Sequence, residues 1–456
     1  MNSRPSVDLH QQMTQLSACL AAYRALWQVK AFDCDELPWQ AQFPMLADSV
    51  WQVADSEIDA LDADQSLLVE RFLPVIAQDM QLSDLESQQL QSLLTDVIDN
   101  SVQVQAGVND KQLPEAIKSH FSAHIKGRKW QQIERFSNYI TPQTPILEWC
   151  AGKGHLGRYL AKLHDTPVHS VEWQQALCDE GQAFAQRWQL PQQFQCADVF
   201  NIANKDHQAT SAGGEAAITV AISTPVTTSK AIATSTPKTI ASPLRQEQYA
   251  VALHACGDLH VKLLNLATQA QTQSIAISPC CYHLIQTPQY QALSSVAKQA
   301  SFSLSRHDLQ LPLQQSVIAS DSQKQLRLKE IAWRLGFDCL QRQQRNINEY
   351  LPIPSIKRSQ LSGQFANFCQ WAANAKQLTL TEDIDFDYYL KLGTERQRLT
   401  QRIDLIAHLF RRALEKWLVI DRACYLVENN YQVEVFEFCV SSITPRNCLI
   451  RAHKAN

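Results

Sequence analysis

Glycines at Gly152, Gly154 and Gly157 follow a short apolar run that ends in Glu148, and a second run, residues 168–172, ends in Glu172. Glycines at this spacing let a chain turn tightly from strand to helix, take positive φ and admit a ligand against the backbone. A carboxylate closing the next strand is placed to accept hydrogen bonds from ribose hydroxyls. A third run, 192–196, is followed by Asp198, whose carboxylate suits the exocyclic amine of adenine. Residues 251–259 then pass from an apolar strand into a loop carrying His254, Cys256, Gly257 and Asp258. The chemistry these residues serve is the holding of a nucleotide-like cofactor at the carboxyl ends of strands.

Two cofactors fit the glycine loop. Its G-x-G-x-x-G spacing is that of dinucleotide-binding loops, and Glu172 stands where such a loop wants its acid. S-adenosylmethionine (SAM) fits better. Glu148 lies where a carboxylate can face the cationic amino acid end of that molecule and would repel a pyrophosphate. We therefore expect Glu148, Cys150, Gly152, Lys153, Gly154, Glu172, Asp198, His254 and Cys256 to bind SAM.

These residues resemble the class I SAM-dependent methyltransferases. More narrowly, they are similar to the branch with a GKGHL-type first motif, a LHACGDL-type fourth motif and a CCY-type fifth motif. The branch includes methyltransferase-like proteins related to RNA methyltransferases. Here the three motifs are residues 152–156, residues 253–259 and the Cys280-Cys281-Tyr282 triplet. The resemblance covers about residues 125–200, 248–285 and 400–452. One departure is Glu148, where many members carry Asp; it keeps the charge and lengthens the reach. The resemblance implies a Rossmann-like α/β sheet, SAM as cofactor and a closing antiparallel hairpin at the carboxyl end.

Methyl transfer from a sulfonium is an in-line displacement, so a site must chiefly fix the acceptor and exclude water. Residues after the fourth strand should lie nearest the methyl group. His254 and Asp258 are candidates to orient or deprotonate an acceptor, and Tyr282 is a candidate wall for stacking it. Asp258 as a helix cap and Tyr282 as plain core are the structural alternatives. A metal site of His254, Cys256, Cys280, Cys281 and His283 is not expected. Its ligands would come from two neighbouring strands, with no Cys-x-x-Cys or His-x-x-x-His spacing among them.

The elements that must position these residues are uneven along the chain. Residues 1–124 read as a helical accessory domain; Leu16, Cys19, Leu20, Tyr23 and Trp27 mark one apolar helix face. Ser66 to Ile98 reads as two helices with an uncertain break near Pro74 or residues 78–83. Residues 125–285 form the cofactor-binding α/β core. It is interrupted at 201–247 by an insertion rich in Ala, Ser and Thr, for which flexibility is expected. Residues 286–428 are a helical insertion, with its best helix near 396–428, and residues 429–456 supply two closing strands.

Length and composition permit this plan. The chain has 456 residues, enough for more than one domain, and 45% of them are hydrophobic. A formal net charge of -4 provides no global attraction to nucleic acid or anionic membranes. An RNA acceptor would need local patches, for which Lys126, Arg128 and Lys129, then Arg342 with Arg345, Lys357 with Arg358, and Arg411 with Arg412 are candidates. No apolar run approaches a membrane span, the polar amino terminus is no signal peptide, and 13 cysteines suggest reduced thiols in a cytoplasmic setting. The oligomeric state has no signature.

Overall fold

The computed structural model describes residues 8–95, 112–123, 125–203, 240–314 and 321–455. Most of the 201–247 insertion lies outside the described residues. The described chain divides into two compact units: residues 112–286 with 422–455, and residues 8–95 with 287–421.

The first unit is built on one seven-stranded sheet. Its strands are β1 (Ile146–Trp149), β2 (Val168–Glu172), β3 (Gln192–Cys196), β4 (Tyr249–Ala252), β5 (Ser274–Ile277), β6 (Tyr431–Glu437) and β7 (Cys448–Lys454). Their order is β3-β2-β1-β4-β5-β7-β6. The first five are parallel, with Ile146 opposite Val168 and Tyr249. Strand β7 runs antiparallel between β5 and β6, with Ile450 opposite both Ile277 and Val435. This is the Rossmann-like arrangement with a closing antiparallel pair.

The central strands are buried throughout. All four residues of β1, β4 and β5 are inaccessible, the pattern of a parallel sheet covered on both faces. Helices Gly127–Ser137 and His155–His164 bring Ile133, Phe136, Tyr159 and Leu160 into a core with Val168, Tyr249, Val251, Phe436 and Leu449. Between β3 and β4, Ile202 and Ile240 form a parallel bridge, so the flanks of the insertion meet.

The order reverses at β1, with β2 on one side and β4 on the other. Open α/β sheets leave a crevice outside the strand ends at such a switch point, and the glycine loop starts there.

The second unit is helical. The amino-terminal residues and the 287–421 segment belong to it together, rather than forming the two separate helical pieces expected. Helical periodicity identifies faces but not which distant faces pair. Leu16, Cys19, Leu20, Tyr23 and Trp27 are buried as their spacing requires. Pro74 lies inside the helix Gln65–Asp79, so the break falls after Asp79, and Asp84–Thr95 follows. The long carboxyl-terminal helix near 396–428 is in fact Phe386–Ala407 and Arg411–Glu428, joined by a short 3-10 turn.

Helices Asp321–Arg345 and Phe386–Ala407 cross where Gly336 and Gly393 face each other; a Cβ on Gly393 would meet Ala332 and Gly336 backbone. Around the crossing, Asp338 is fully buried, accepts from Arg396 Nη1 at 2.7 Å and forms an ion pair with Arg342, whose Nε lies 2.7 Å away. No helix among the described residues is long and apolar enough to cross a membrane.

Candidate functional site

A cavity of about 540 Å³ opens at the carboxyl ends of β1 to β4 in the first unit. Glu148, Cys150, Gly152, Glu172, Asp198 and His254 line it, together with Lys129, Trp173 and Phe200. Lys153, Gly154, Cys256, Asp258 and Tyr282 are not among its lining residues.

The loop after β1 is shaped by positive φ at Cys150, Gly152 and Gly154. Gly152 borders open space: a Cβ there would meet nothing within 4 Å. Its N–H donates to Glu172 Oε2 at 2.9 Å, while Gln174 N–H donates to Glu172 Oε1 at 3.1 Å. Two backbone amides thus hold the Glu172 carboxylate at the cavity wall. Charge-assisted bonds of this kind are short and strong.

Gly154 and Gly157 answer a different need. A Cβ on Gly154 would collide with Gln192 and Phe194, and one on Gly157 with Glu148 and Gln192. They let the His155–His164 helix lie closely on β1 and β3. Glu148 fastens that contact. Its Oε1 accepts from Gly157 N–H at 2.9 Å and its Oε2 from Ser170 Oγ at 2.7 Å. Gln192 Nε2 donates in turn to Ser170 Oγ and the Gly154 carbonyl. Burial pushes the Glu148 carboxyl up to about 7, against the hydrogen bonds from Ser170 and Gly157 and the charges of Arg158 and Lys129. Glu148 therefore borders the cavity while bracing the loop from beneath.

At the second acidic strand end, Asp198 Oδ1 accepts from Phe200 N–H at 3.0 Å and Oδ2 from Asn201 Nδ2 at 3.2 Å. It caps the short turn Val199–Asn201, which carries Phe200 to the cavity edge. Trp173, directly after Glu172, is 67% exposed beside the same cavity. An indole left in water at the rim of a polar pocket is a surface on which a planar ring can stack. No motif marks Trp173 or Phe200 in the sequence. Their signal was position, each lying one or two residues beyond a strand-end acid.

On the far side, His254 reaches solvent at the rim. Desolvation in the cleft, then the charge of Lys129, holds it below the ordinary histidine range, to about 4. Neutral imidazole is the form that accepts a proton. Lys129 is itself lowered by desolvation, opposed by Glu148.

Three sequence expectations are corrected here. Asp258 does not face the cavity: its Oδ2 accepts from Gln286 N–H at 2.7 Å and ties down the chain after β5. It is the first residue of the helix Asp258–Ala270, capped by Gly257 without a side-chain bond, so the capping role does not describe it either. Tyr282 is 1% exposed, its ring covered by the Arg422 guanidinium at 5.2 Å, so no acceptor can stack on it. Lys153 does not line the cavity and pairs with Glu180 at 2.5 Å.

Behind His254 a buried relay fixes the loop. His260 Nδ1 bonds the Ala255 carbonyl at 2.9 Å, and Arg422 Nε donates to His260 Nε2 at 2.7 Å. Nδ1 therefore carries the proton and Nε2 accepts. Burial, then the Arg422 charge, keeps His260 neutral, well below the ordinary range.

Cys256, Cys280 and Cys281 come together beside this loop, because β4 and β5 are adjacent and their pairing extends to a bridge between Cys256 and Cys280. Ligands from neighbouring strands converge where spacing along the chain suggested they would not.

The basic candidates separate. Lys126, Arg128 and Lys129 are exposed around the start of the Gly127–Ser137 helix, with Lys129 on the cavity wall. In the second unit Lys357 and Arg358 are exposed. Arg342 and Arg411 are not: they are buried in ion pairs with Asp338 and Asp62. Arg345 bonds Gln341 and Arg412 lies 3.9 Å from Glu415.

Sheet order and switch-point cavity give a Rossmann-like unit with a closing antiparallel pair, an arrangement consistent with methyltransferases. Residues 128–288 match a family model described as a methyltransferase domain, which supports methyl transfer as the chemistry of this unit. Among curated proteins no match is found.

Proposed function

We propose that the chain transfers a methyl group from SAM to an acceptor, with RNA as the favoured acceptor. The observation that carries the cofactor reading is the Glu172 carboxylate held by Gly152 and Gln174 N–H beside open space at Gly152. Such a carboxylate keeps lone pairs for two vicinal hydroxyls. When bound, SAM supplies an electrophilic methyl on a sulfonium.

The chain's own residues would then divide the work. Glu172 takes the ribose hydroxyls, Asp198 and Phe200 border the adenine, and Trp173 stacks against it. Glu148 and Lys129 offer opposite charges to an amino acid end. His254, at the rim beyond β4, orients the acceptor and takes its proton; its lowered pKa leaves it unprotonated at neutral pH. Asp258 and the His260–Arg422 pair position the His254 loop without touching substrate.

RNA is favoured by the exposed Lys126, Arg128 and Lys129 beside the cavity and by the resemblance to a branch related to RNA methyltransferases. Radiolabelled methyl transfer into fractionated cell extract tests this reading. Label in RNA supports it; label confined to protein or small metabolites overturns the acceptor, and label in none overturns the activity. A nicotinamide-dependent oxidoreductase and a non-catalytic cofactor- or RNA-binding scaffold are the rival readings; relative affinity for SAM and NAD separates the first, and SAM binding with no label in any pool favours the second.

A further inference from the structure

Cys256 follows β4, and Cys280 and Cys281 follow β5. The sheet register continues past the strands as a bridge from Cys256 to Cys280, sealed by Gly257 N–H donating to the Cys280 carbonyl at 3.0 Å. Gly257 makes that seal possible, since a Cβ there would meet the Leu284 carbonyl. Cys281 turns back at positive φ. The three sulfurs lie within 4.8 Å of one another, with Cys256 Sγ 3.6 Å from Cys280 Sγ. Thiolates on one tetrahedral zinc at about 2.3 Å each stand about 3.8 Å apart. The spacing is that of ligands on a shared ion.

A second observation points to something held there. Arg446 Nε and His283 Nδ1 are buried with no hydrogen-bond partner. Both lie next to the thiols: His283 is two residues beyond Cys281, and the Arg446 carbonyl accepts from Ser278 Oγ at 3.3 Å, two residues before Cys280. Orphaned buried polar atoms are rare and call for a partner. An anionic metal–thiolate group would supply one.

We propose that Cys256, Cys280 and Cys281 form a three-thiolate site for one soft divalent cation, Zn2+ by the chemistry of its ligands. Each thiol that binds gives its proton to solvent, so one Zn2+ with three thiolates carries a net charge of -1, opposite Arg446. Three protein ligands leave the fourth tetrahedral position to water or an acceptor atom, the arrangement of catalytic rather than structural zinc. All three cysteines are only partly buried, so an ion has access. This goes beyond SAM binding and does not depend on it.

The test uses the full chain, reduced and stripped with a chelator, titrated with Co2+ and then Zn2+. We expect a thiolate-to-cobalt charge-transfer band saturating at one equivalent and bleached by Zn2+. Cys280→Ser and Cys281→Ser should each weaken Co2+ binding by more than about 100-fold, beyond the loss typical of supporting residues. Cys34→Ser should leave it unchanged. No band at one equivalent, or an unchanged band in both variants, overturns the proposal. Should a variant misfold, mapped alkylation of the wild-type chain decides. Zn2+ protecting Cys256, Cys280 and Cys281 but not Cys34 supports the site, and equal labelling with and without Zn2+ refutes it.

Discussion

Along the β1–β3 edge of the sheet, the strand-end carboxylates already have backbone partners: Glu172 takes Gly152 and Gln174 amides, Asp198 takes Phe200, and Glu148 takes Gly157. Along the β4–β5 edge the side chains are imidazole and thiol, and nearby buried polar atoms of His283 and Arg446 have no partner. The first edge is a finished cradle, stiff before anything binds. The second is reactive and unfinished. The proposed methyl transfer would use both: a rigid seat for the donor, and beyond β4 and β5 side chains that respond to the acceptor.

The difference also separates two kinds of glycine within one loop, and this is where the comparison can be broken hardest. Gly154→Val would drive a side chain into Gln192 and Phe194 at a residue with φ of 65°. Overpacking and left-handed strain together should cost about 2–5 kcal/mol in urea unfolding. Gly152→Ala faces open space and should cost only the strain, about 1–2 kcal/mol. Equal losses would mean that the two glycines are not distinct.

Glu148 gives the next largest effect. Its carboxyl is held near 7 when folded against an ordinary value of 4.5, because burial penalises the charge. The folded chain therefore binds that proton more tightly than the unfolded chain. The resulting stability is fully present below about 4.5 and lost as pH rises to about 7, on the order of 3 kcal/mol. Glu148→Gln should flatten this slope in thermal unfolding between those pH values. An unchanged slope would place the titration elsewhere.

Glu172→Ala sharpens the donor-seat assignment. Removing charge-assisted bonds worth about 1.5–3 kcal/mol should weaken SAM binding about 10- to 100-fold by calorimetry, and unchanged affinity would remove Glu172 from the cofactor wall. The smallest effect is at Lys153, whose half-exposed pair with Glu180 is not part of the cavity lining. Lys153→Ala should change stability by less than about 1 kcal/mol and leave SAM affinity unaltered. A large loss of affinity would restore the cofactor role read from its place in the motif.

The cavity wall at the ends of β1–β3 is legible in the sequence because it is local. Strand, glycine turn and acid follow one another within a few residues, so the sequence names Glu148, Gly152, Glu172 and Asp198 together, and all four line one cavity. The two roles of the glycines were not legible, since Gln192 and Phe194 approach from a strand two places away. Tyr282 and Asp258 were misread for a similar reason. Motif position does not reveal that Arg422, far along the chain, covers the tyrosine ring, or that Gln286 claims the carboxylate. The closing antiparallel strands follow from the resemblance, and β6 and β7 both fall within the expected 429–456 segment. Union of the amino-terminal helices with the 287–421 segment was invisible, because helical periodicity carries no address for its partner.

The central claim is that the cradle at the ends of β1–β3 seats an adenosyl sulfonium rather than a dinucleotide. Calorimetric titration of the full chain with SAM and, separately, with NAD tests it most directly. Saturable one-to-one binding of SAM with no heat from NAD at the same concentration is the predicted result. Binding of NAD with none of SAM would contradict it.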